Sequence, residues 1–390
     1  MILCSCVIGL SATEKQITSP DGQIVVTVSD GNGNPTYNVA LGGVTFIENS
    51  PLGLVLNLGD YSKNMTIADS KTGTFHDEYK LPNIKKSEIV VDATNAIVTF
   101  AQNGKNIYEV EFNVSNSDIA FRYNLLSQAP TLCCVVKDEV SGFKLPAGTT
   151  TFLCPQMLPM TGFARTAPSY ETGYVADDQM GKNGWGEGYT FPCLFRNADK
   201  GWVLISETGV NGRYCGCRLI GKEDGLYSIG LPVEGEMNGL ASSTPGMALP
   251  SSTPWRTITI GKTLAPIVET TVAFDYVKPL YEASQEYKYG RGSWSWIIGM
   301  DGNTTYDMQK KYIDFSAEMK FETVLVDALW DTQIGRNKIK ELAEYGATKN
   351  VALFLWYNSN GYWNDAPQGP RGALDNIIAR NKEMAWLQKI

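Results

Sequence analysis

One carboxylate and several tryptophans in the last third of the sequence have the residue types and spacing of a sugar-binding site. Asp327 ends the apolar run Thr323–Asp327, and Trp294, Trp330 and Trp356 lie in or just after successive apolar runs. An indole ring offers a flat apolar face to the C–H groups of a pyranose, and a carboxylate accepts hydrogen bonds from sugar hydroxyls. The occurrence of these residues at successive strand ends therefore favours a carbohydrate site.

Each of these residues also has a purely structural explanation. Tryptophan is largely buried on average, so core packing is the alternative for every ring considered alone. Asp327 could instead cap a loop or pair with a cation, and Asp331 lies in the loop four residues later. Six of the nine tryptophans fall between residues 294 and 386. Their repeated occurrence at strand ends favours a site over a coincidence of packing.

The elements that must position these residues begin after Pro279, where the hydrophobic period changes. Strand and helix patterns alternate in the order β-α-β-α-β-α over residues 293–298, 305–319, 323–327, 336–345, 351–356 and 374–387. This order predicts the first three units of a (β/α)8 barrel, whose sites lie in the loops after the strands. An open doubly wound sheet is the alternative, but no Gly-x-Gly-x-x-Gly follows the first strand.

The final segment, Asn376–Ile390, has the pattern of an amphipathic helix without a recognisable capping residue or stop signal. Three units supply too few strands to close an eight-stranded barrel, so about five more are expected elsewhere. We therefore expect an incomplete barrel.

Residues 17–270 predict a different architecture. Short β-rich runs such as Gln23–Val28, Tyr108–Val114 and Gly201–Ile205 are separated by turn-forming clusters such as Asp30–Pro35. Two further short strands are predicted at 89–92 and 96–100, and no helical pattern is evident. Many strands at roughly ten-residue spacing predict a large β-sandwich of antiparallel sheets.

Composition excludes several classes of function. The 390 residues carry 33 Lys plus Arg and 41 Asp plus Glu, a net charge of −8, without the basic runs that nucleic-acid binding requires. Apolar residues make up 43% of the chain, which excludes a disordered protein. His76 is the single histidine, so multi-histidine metal sites are excluded and carboxylates must carry most acid–base chemistry.

The N-terminal segment indicates export. Residues 1–12 are short, apolar and end in small residues, like the tail of a secretory signal, although the usual basic start is missing. We expect a periplasmic or secreted protein without a membrane span. The six remaining cysteines, at 133, 134, 154, 193, 215 and 217, match no zinc-ribbon spacing and are expected mainly as thiols.

Several motifs together resemble glycoside hydrolase family 97, the α-glucosidase and α-galactosidase family typical of Bacteroidetes. The matching stretches occur in family order along nearly the whole chain: Ser19–Gly22, Ser50–Gly53, Ser169–Tyr174, Gly188–Pro192 with Ser206–Gly209, Ser293–Trp296 and Val324–Trp330. The resemblance implies an N-terminal β-super-sandwich of the galactose-mutarotase type over residues 13–275. It further implies the start of a (β/α)8 catalytic barrel over 276–390.

The resemblance also implies specific roles. Glu171 would reach a calcium ion, while Trp294, Asp327 and Trp356 would line the cleft for an oligosaccharide or α-glycoside. From the tryptophan pattern, Trp296 and Trp330 are expected to bind substrate as well. Family members often have a further tryptophan where Ile297 stands here. Their nucleophile or base and their acid lie beyond the position of Ile390, so we expect an N-terminal fragment that is inactive alone. The alternative is a non-catalytic carbohydrate-binding β-sandwich with a decayed barrel.

Overall fold

The computed structural model describes residues 12–81, 84–169, 173, 175–181, 188–221, 223–287 and 289–390. These residues form two compact units. The first holds the described residues up to 161 together with 167–236 and 241–279. The second holds 162–166, 237–240 and 280–390. Most of the proposed export signal, residues 1–11, lies outside the described residues.

The first unit is built almost wholly of β-strands. Its described strands are β1 Glu14–Thr18, β2 Ile24–Ser29, β3 Thr36–Leu41, β4 Val44–Pro51, β5 Leu54–Leu56, β6 Gly59–Asp60, β7 Thr66–Lys80, β8 Glu88–Gln102, β9 Lys105–Val114, β10 Asp118–Leu125, β11 Cys133–Glu139, β12 Gly142–Lys144, β13 Thr149–Phe152, β14 Asp178–Gln179, β15 Cys193–Asn197, β16 Gly201–Thr208, β17 Arg218–Gly221, β18 Leu226–Gly230, β19 Gly246–Ala248, β20 Ser251–Ser252 and β21 Trp255–Gly261. Two short helices follow, α1 Ala265–Glu269 and α2 Val272–Asp275.

These strands form antiparallel sheets. A seven-stranded sheet has the order β1-β2-β3-β4-β12-β18-β17. A ten-stranded sheet runs β14-β13-β15-β16-β21-β10-β9-β8-β7, with β20 paired to β10. A smaller sheet has the order β19-β11-β5-β6. The strands alternate buried and less buried residues, as in β2, because successive side chains point to opposite faces of a sheet.

The main core lies where the two large sheets face each other. The ring of Tyr37 in β3 lies 5.3 Å from that of Phe121 in β10 and 6.4 Å from that of Phe112 in β9. All three side chains are fully buried, and the Tyr37 hydroxyl donates to the carbonyl oxygen of Gly142 at 2.9 Å. Close aromatic packing of this kind excludes water and stabilises a sandwich. The predicted β-sandwich is confirmed at this level.

Two details of the first unit differ from the sequence analysis. The strands predicted at 89–92 and 96–100 are one strand, β8, because the intervening residues pair with β7 on one side and begin pairing with β9 on the other. Helix α1 begins at Ala265, within the region for which no helix was predicted. Among the described residues before it, the only helical segments are short 3-10 turns.

The second unit alternates strands and helices. Its elements are β22 Gly292–Trp294, α3 Trp296–Gly299, α4 Tyr306–Glu318, β23 Thr323–Val326, α5 Trp330–Gln333, α6 Arg336–Thr348, β24 Ala352–Leu355 and α7 Ile377–Leu387. The strands are parallel in the order β22-β23-β24. Val324 and Val326 are fully buried and pack with Ile313 of α4 and with Ile339 of α6. Parallel strands covered by helices are what the apolar runs of the sequence predicted.

Two predictions for the second unit are wrong in detail. The strand predicted over 293–298 ends at Trp294, and Trp296–Gly299 is helical. The turn is fixed by Ser295, whose carbonyl oxygen accepts from Asn303 and whose hydroxyl accepts from Gln309. The last helix does have a cap, because the Asn376 side chain accepts from the Ala379 backbone N–H at 2.9 Å.

Two further findings concern membrane spans and cysteines in the described residues. In the portion of the chain that it describes, no helix has both the length and the apolar character needed to cross a bilayer. The six cysteines at 133, 134, 154, 193, 215 and 217 are free thiols.

Candidate functional site

The candidate site lies on one face of the parallel sheet in the second unit. Trp294, Leu325 and Phe354 are paired across the three strands and form one row on this face. Because side chains alternate along a strand, Asp327 and Trp356, two residues further on, belong to the same face at the carboxyl ends of β23 and β24. The opposite face bears Ser293, whose hydroxyl lies 2.6 Å from that of Ser316 in α4.

Trp294 and Asp327 are joined by a direct hydrogen bond. The indole Nε1–H of Trp294 donates to Oδ2 of Asp327, with 2.5 Å between the heavy atoms. The other carboxylate oxygen, Oδ1, accepts from the Ala328 backbone N–H at 2.5 Å. Asp327 is 6% exposed. Each carboxylate oxygen can accept more than one hydrogen bond, so this carboxylate is fixed in orientation yet still able to accept from a hydroxyl.

Trp294 also stacks on Trp296. Their ring centroids lie 5.5 Å apart with planes inclined by only 13°. Trp296 is held in turn by Asp301, whose Oδ1 accepts from the Trp296 indole N–H at 2.9 Å. The second Asp301 oxygen accepts from Gln368 at 3.3 Å. Each indole N–H is therefore held by a carboxylate, that of Trp294 by Asp327 and that of Trp296 by Asp301. Both tryptophans remain partly exposed.

Trp330 lies elsewhere. Its side chain is fully buried, stacks on Trp386 with 5.8 Å between ring centroids, and donates its indole N–H to the Trp356 carbonyl oxygen at 2.9 Å. The turn after Asp327 explains this, since Leu329 adopts a left-handed conformation with φ 69° and reverses the chain into α5. The structure therefore gives Trp330 a packing role, and the ring has no face open to a sugar.

The packing cluster around Trp330 contains its own polar contacts. The Tyr357 hydroxyl and the Arg336 guanidinium both donate to Glu383, each at 2.7 Å. Burial, followed by the hydrogen bond to Glu383, raises the pKa of Tyr357. Arg336 also lies 4.2 Å from the centre of the Trp386 ring. These contacts anchor α6 and α7 behind the sheet.

Trp356 is half-buried at the end of β24, and its backbone N–H donates to the Val326 carbonyl oxygen at 3.0 Å. A loop folded around Arg371 follows it. The guanidinium donates to the carbonyl oxygens of Ala366 at 2.8 Å and Asn364 at 3.3 Å, and also to that of Gly361. This loop carries Gln368, which reaches Asp301.

Sequence reasoning missed Asp301 and Gln368. Asp301 lies in an Asp-Gly-Asn turn, and Gln368 in a polar loop; both have the ordinary composition of solvated loops. Their link to Trp296 arises only when the loops after β22 and β24 fold towards each other. The turn directly after the Trp-Ser-Trp stretch was the one available signal, since loops after parallel strands carry functional groups.

The predicted calcium ligand cannot be placed. Glu171 lies outside the described residues. In the described ranges, no group of three or more His, Cys, Asp or Glu side chains is arranged to hold a metal ion. Calcium binding through Glu171 therefore stays a prediction.

Comparison with solved structures supports both units. The crystal structure of a beta-arabinopyranosidase is 46% identical and superposes with a TM-score of 0.93, covering 97% of this chain and 60% of that one. A glycoside hydrolase family 97 enzyme from Pseudoalteromonas sp. strain K8, in complex with panose, superposes with a TM-score of 0.75 at 22% identity. The superposition covers 95% of this chain and 56% of that one. At this sequence identity it shows a similar fold and nothing further.

Two curated relatives also match most of this chain. A retaining alpha-galactosidase of Bacteroides thetaiotaomicron is 24% identical over 98% of this chain and 61% of its own length. A probable retaining alpha-galactosidase of Streptomyces bingchenggensis is 28% identical over 82% of this chain and 48% of its own length. The chain thus spans about half to three fifths of the relatives it matches.

Two family models cover most of the sequence in the expected order. The model described as Glycosyl-hydrolase 97 N-terminal matches residues 17–279, and the one described as Glycoside hydrolase 97 matches residues 287–382. These matches correspond to the two folded units, and together they settle the resemblance seen in the motifs: the chain belongs to glycoside hydrolase family 97.

Proposed function

We propose that this chain carries the sugar-binding part of a glycoside hydrolase for α-galactosides or β-arabinopyranosides. The observation that carries the proposal is the Trp294–Asp327 hydrogen bond at the carboxyl edge of the parallel sheet. It sets an apolar ring face beside a carboxylate with spare acceptor capacity, which is the combination a pyranose requires. The stacked Trp296 extends the apolar surface.

The substrate class follows from the relatives taken together. Those named above are described as alpha-galactosidases and a beta-arabinopyranosidase. L-Arabinopyranose has the ring configuration of D-galactopyranose without the exocyclic hydroxymethyl group, and the β-L and α-D linkages correspond in geometry. One site could therefore accept both, with discrimination at the position of the missing group. The relative at 46% identity favours the arabinoside. An α-glucoside, also expected from the motifs, differs in the orientation of the C4 hydroxyl.

Hydrolysis requires two positioned carboxyl groups. One protonates the glycosidic oxygen, while the other attacks the anomeric carbon or activates a water molecule. We assign this pair to sequence outside residues 1–390, as the motifs imply, and place the described strands β22 to β24 in the first part of a (β/α)8 barrel. Asp327 then acts as a substrate-binding residue, and its fixed orientation aligns the sugar for the reaction.

Calcium and export complete the proposal. Glu171 is assigned as a calcium ligand that works with carboxylates outside this sequence, which suits a hard cation bound by oxygen atoms. Its test is Glu171→Gln in the protein encoded by the full reading frame, where unchanged calcium dependence would contradict the assignment. Residues 1–12 are assigned to export into the periplasm or the medium, which N-terminal sequencing of the secreted protein would check.

The binding site can be tested directly on this chain. Indole ¹⁵N labelling gives one N–H signal for each of the nine tryptophans, and the Trp294 signal can be assigned from Trp294→Phe. We expect methyl α-D-galactopyranoside and methyl β-L-arabinopyranoside to shift the Trp294 signal at millimolar concentration, and methyl α-D-glucopyranoside to do so less. A Trp294 signal that none of these glycosides moves would contradict the proposed function.

Controls separate the site from general effects. Asp327→Ala should abolish the saturable shift of the Trp294 signal, whereas Glu341→Ala, an exposed position on α6, should leave it unchanged. Residues 1–390 should not hydrolyse nitrophenyl glycosides. Turnover by this chain alone would overturn the assignment of the catalytic pair to sequence outside it.

A further inference from the structure

A cavity lies in the first unit, and all the residues that line it fall between Phe75 and Pro279. It has a volume of about 300 Å³ and lies between the ten-stranded sheet and the segment 274–279, partly open to solvent. Glu111, Asn113 and Arg122 line it from β9 and β10, and they alternate with Val110, Phe112 and Phe121, which belong to the main core. The cavity therefore lies on the face of the sheet that points away from the sandwich core.

The apolar part of the cavity is aromatic. Trp255 forms part of its wall and packs against Tyr276, with 5.6 Å between ring centroids. Phe75 meets the same tyrosine edge-on at 5.1 Å. Phe274 lies at the rim and is 48% exposed. An exposed ring at the entrance of a cavity with aromatic walls suits a ligand with a flat apolar face.

The polar part of the cavity is already oriented. The Arg122 guanidinium lies 4.2 Å from the centre of the Trp255 ring and pairs with Glu111 at 2.9 Å. The Asn113 amide oxygen accepts from Asn95 at 2.9 Å. Planar groups held in this way can form directed hydrogen bonds with a ligand at little entropic cost.

The hydroxyl of Tyr276 is closed off from the cavity. The Tyr276 hydroxyl finds no hydrogen-bond partner among the described residues, although the oxygen is inaccessible to solvent. Burial raises the pKa of this hydroxyl, so it stays a neutral donor. Because water does not reach this oxygen, Tyr276 contributes its ring, and not its hydroxyl, to the wall of the cavity.

The charges that line the cavity balance. Three acidic and three basic residues contribute to the wall: Asp77, Glu111 and Asp275 against Lys80, Arg122 and Lys278. Two of the acids are engaged, Glu111 by Arg122 and Asp275 by the Tyr79 hydroxyl, which donates to it at 2.6 Å. A balanced wall favours a neutral polar ligand over an ion.

We propose that this cavity is a second, non-catalytic binding site for a single neutral monosaccharide unit. Its volume lies at the lower end of ligand cavities, which span roughly 300–1,000 Å³, so it fits one sugar ring and not an oligosaccharide. The proposal rests on the aromatic wall, the oriented polar groups and the balanced charge. It does not depend on the function proposed for the second unit.

The test uses the same labelled chain with D-galactose or L-arabinose as the probe. Trp255 lines the cavity, so its indole signal should shift with millimolar sugar. Phe274→Ala and Asp77→Asn should each weaken the apparent affinity at Trp255 at least tenfold. Asp77 is half-buried and its carboxylate accepts from the neighbouring Glu78 N–H, so neither variant removes a core residue.

Matched controls are available on the same elements. Val268→Ala, half-exposed on α1, and Glu78→Gln, the next residue along β7, lie outside the cavity wall and should leave the Trp255 shift unchanged. Asp327→Ala should also leave it unchanged. A sugar-induced Trp255 shift that persists in Asp327→Ala would show that the cavity binds sugar independently of the site in the second unit. The two proposals can therefore be contradicted separately.

Three results would overturn the proposal. The first is a Trp255 signal that neither sugar shifts in the folded chain. The second is a shift that survives both Phe274→Ala and Asp77→Asn. The third is tighter binding of charged analogues, galacturonate or galactosamine, than of the neutral sugars, which would show that the cavity selects an ion.

Discussion

The indole nitrogen of Trp294 lies 2.5 Å from Oδ2 of Asp327, a contact that joins the ends of two neighbouring parallel strands. The two residues are 33 positions apart in the sequence, separated by helix α4. Because β22 and β23 are parallel, their carboxyl ends meet at one edge, and the hydrogen bond fixes both the ring and the carboxylate there. This relationship is the structural basis of the proposed sugar site.

The first prediction concerns this hydrogen bond. Asp327→Ala should lower the free energy of unfolding by about 1–3 kcal/mol, because it leaves the partly buried indole N–H of Trp294 without its acceptor. Asp327→Asn keeps one acceptor oxygen and should cost less. Urea unfolding of both variants measures the difference. Equal stability of Asp327→Ala and the unmodified chain would contradict the structure.

The second prediction concerns the buried ion pair of the first unit. Arg256 and Glu139 are both fully buried and form two hydrogen bonds, at 2.8 and 2.6 Å. Glu139 also accepts from the Tyr214 hydroxyl at 2.9 Å. Glu139→Ala should destabilise the chain by about 3–5 kcal/mol, because it leaves a buried guanidinium without this partner.

An exposed pair provides the comparison. The charged groups of Lys80 and Glu88 lie 2.9 Å apart, which is close to the distances in the buried pair, but both side chains are more than three-quarters exposed. Glu88→Ala should change the free energy of unfolding by less than about 1 kcal/mol. Denaturant unfolding of Glu139→Ala and Glu88→Ala compares the buried pair with the exposed pair. Similar losses of stability in the two variants would contradict the expectation that burial makes the Arg256–Glu139 pair the more important one.

The third prediction concerns Trp330. Trp330→Ala should destabilise the chain by about 3–5 kcal/mol, because it removes a fully buried ring that stacks on Trp386. Trp363 is 50% exposed, and Trp363→Ala should change stability by no more than about 0.5 kcal/mol. Thermal unfolding of Trp330→Ala and Trp363→Ala measures the two losses of stability. A tolerated Trp330→Ala would reopen the possibility that this ring serves a ligand.

The fourth prediction concerns pH. Burial raises the pKa of Asp118, while the hydroxyls of Thr259 and Thr270 oppose that rise by donating to its Oδ1 at 2.5 and 2.6 Å. A raised native pKa means that the folded state binds the proton more tightly than the unfolded state. This contribution favours folding most at or below the unfolded value of 3.8 and is lost as the pH rises through the native pKa.

Thr259→Val removes one of these donors and should raise the native pKa of Asp118 further. The variant should lose about 1.5–3 kcal/mol at pH 7, where the carboxylate is charged, and less at about pH 4. Thr257→Val, on the same strand, keeps both donors and should lose the same amount at both pH values. Urea unfolding at the two pH values tests this, and an equal loss for Thr259→Val would contradict it.

The order of the elements could be predicted from the sequence alone. Alternation of apolar and polar residues identified the β-sandwich, and apolar runs separated by helical periodicity identified the three parallel strands, because these patterns depend only on local geometry. The motifs identified the family. Asp327 and Trp294 could also be found from the sequence, because each occurs at or near the end of an apolar run whose direction was predictable.

The division of the aromatic residues between site and core, in contrast, depends on contacts between distant parts of the chain. Trp330 is three residues from Asp327, yet a single left-handed residue, Leu329, turns it into the core. Asp301 and Gln368 are 67 positions apart and meet only when their loops fold together. The cavity around Tyr276 likewise combines four strands with a returning segment. Such long-range contacts leave no local periodic signal, so they become visible only when the chain is folded.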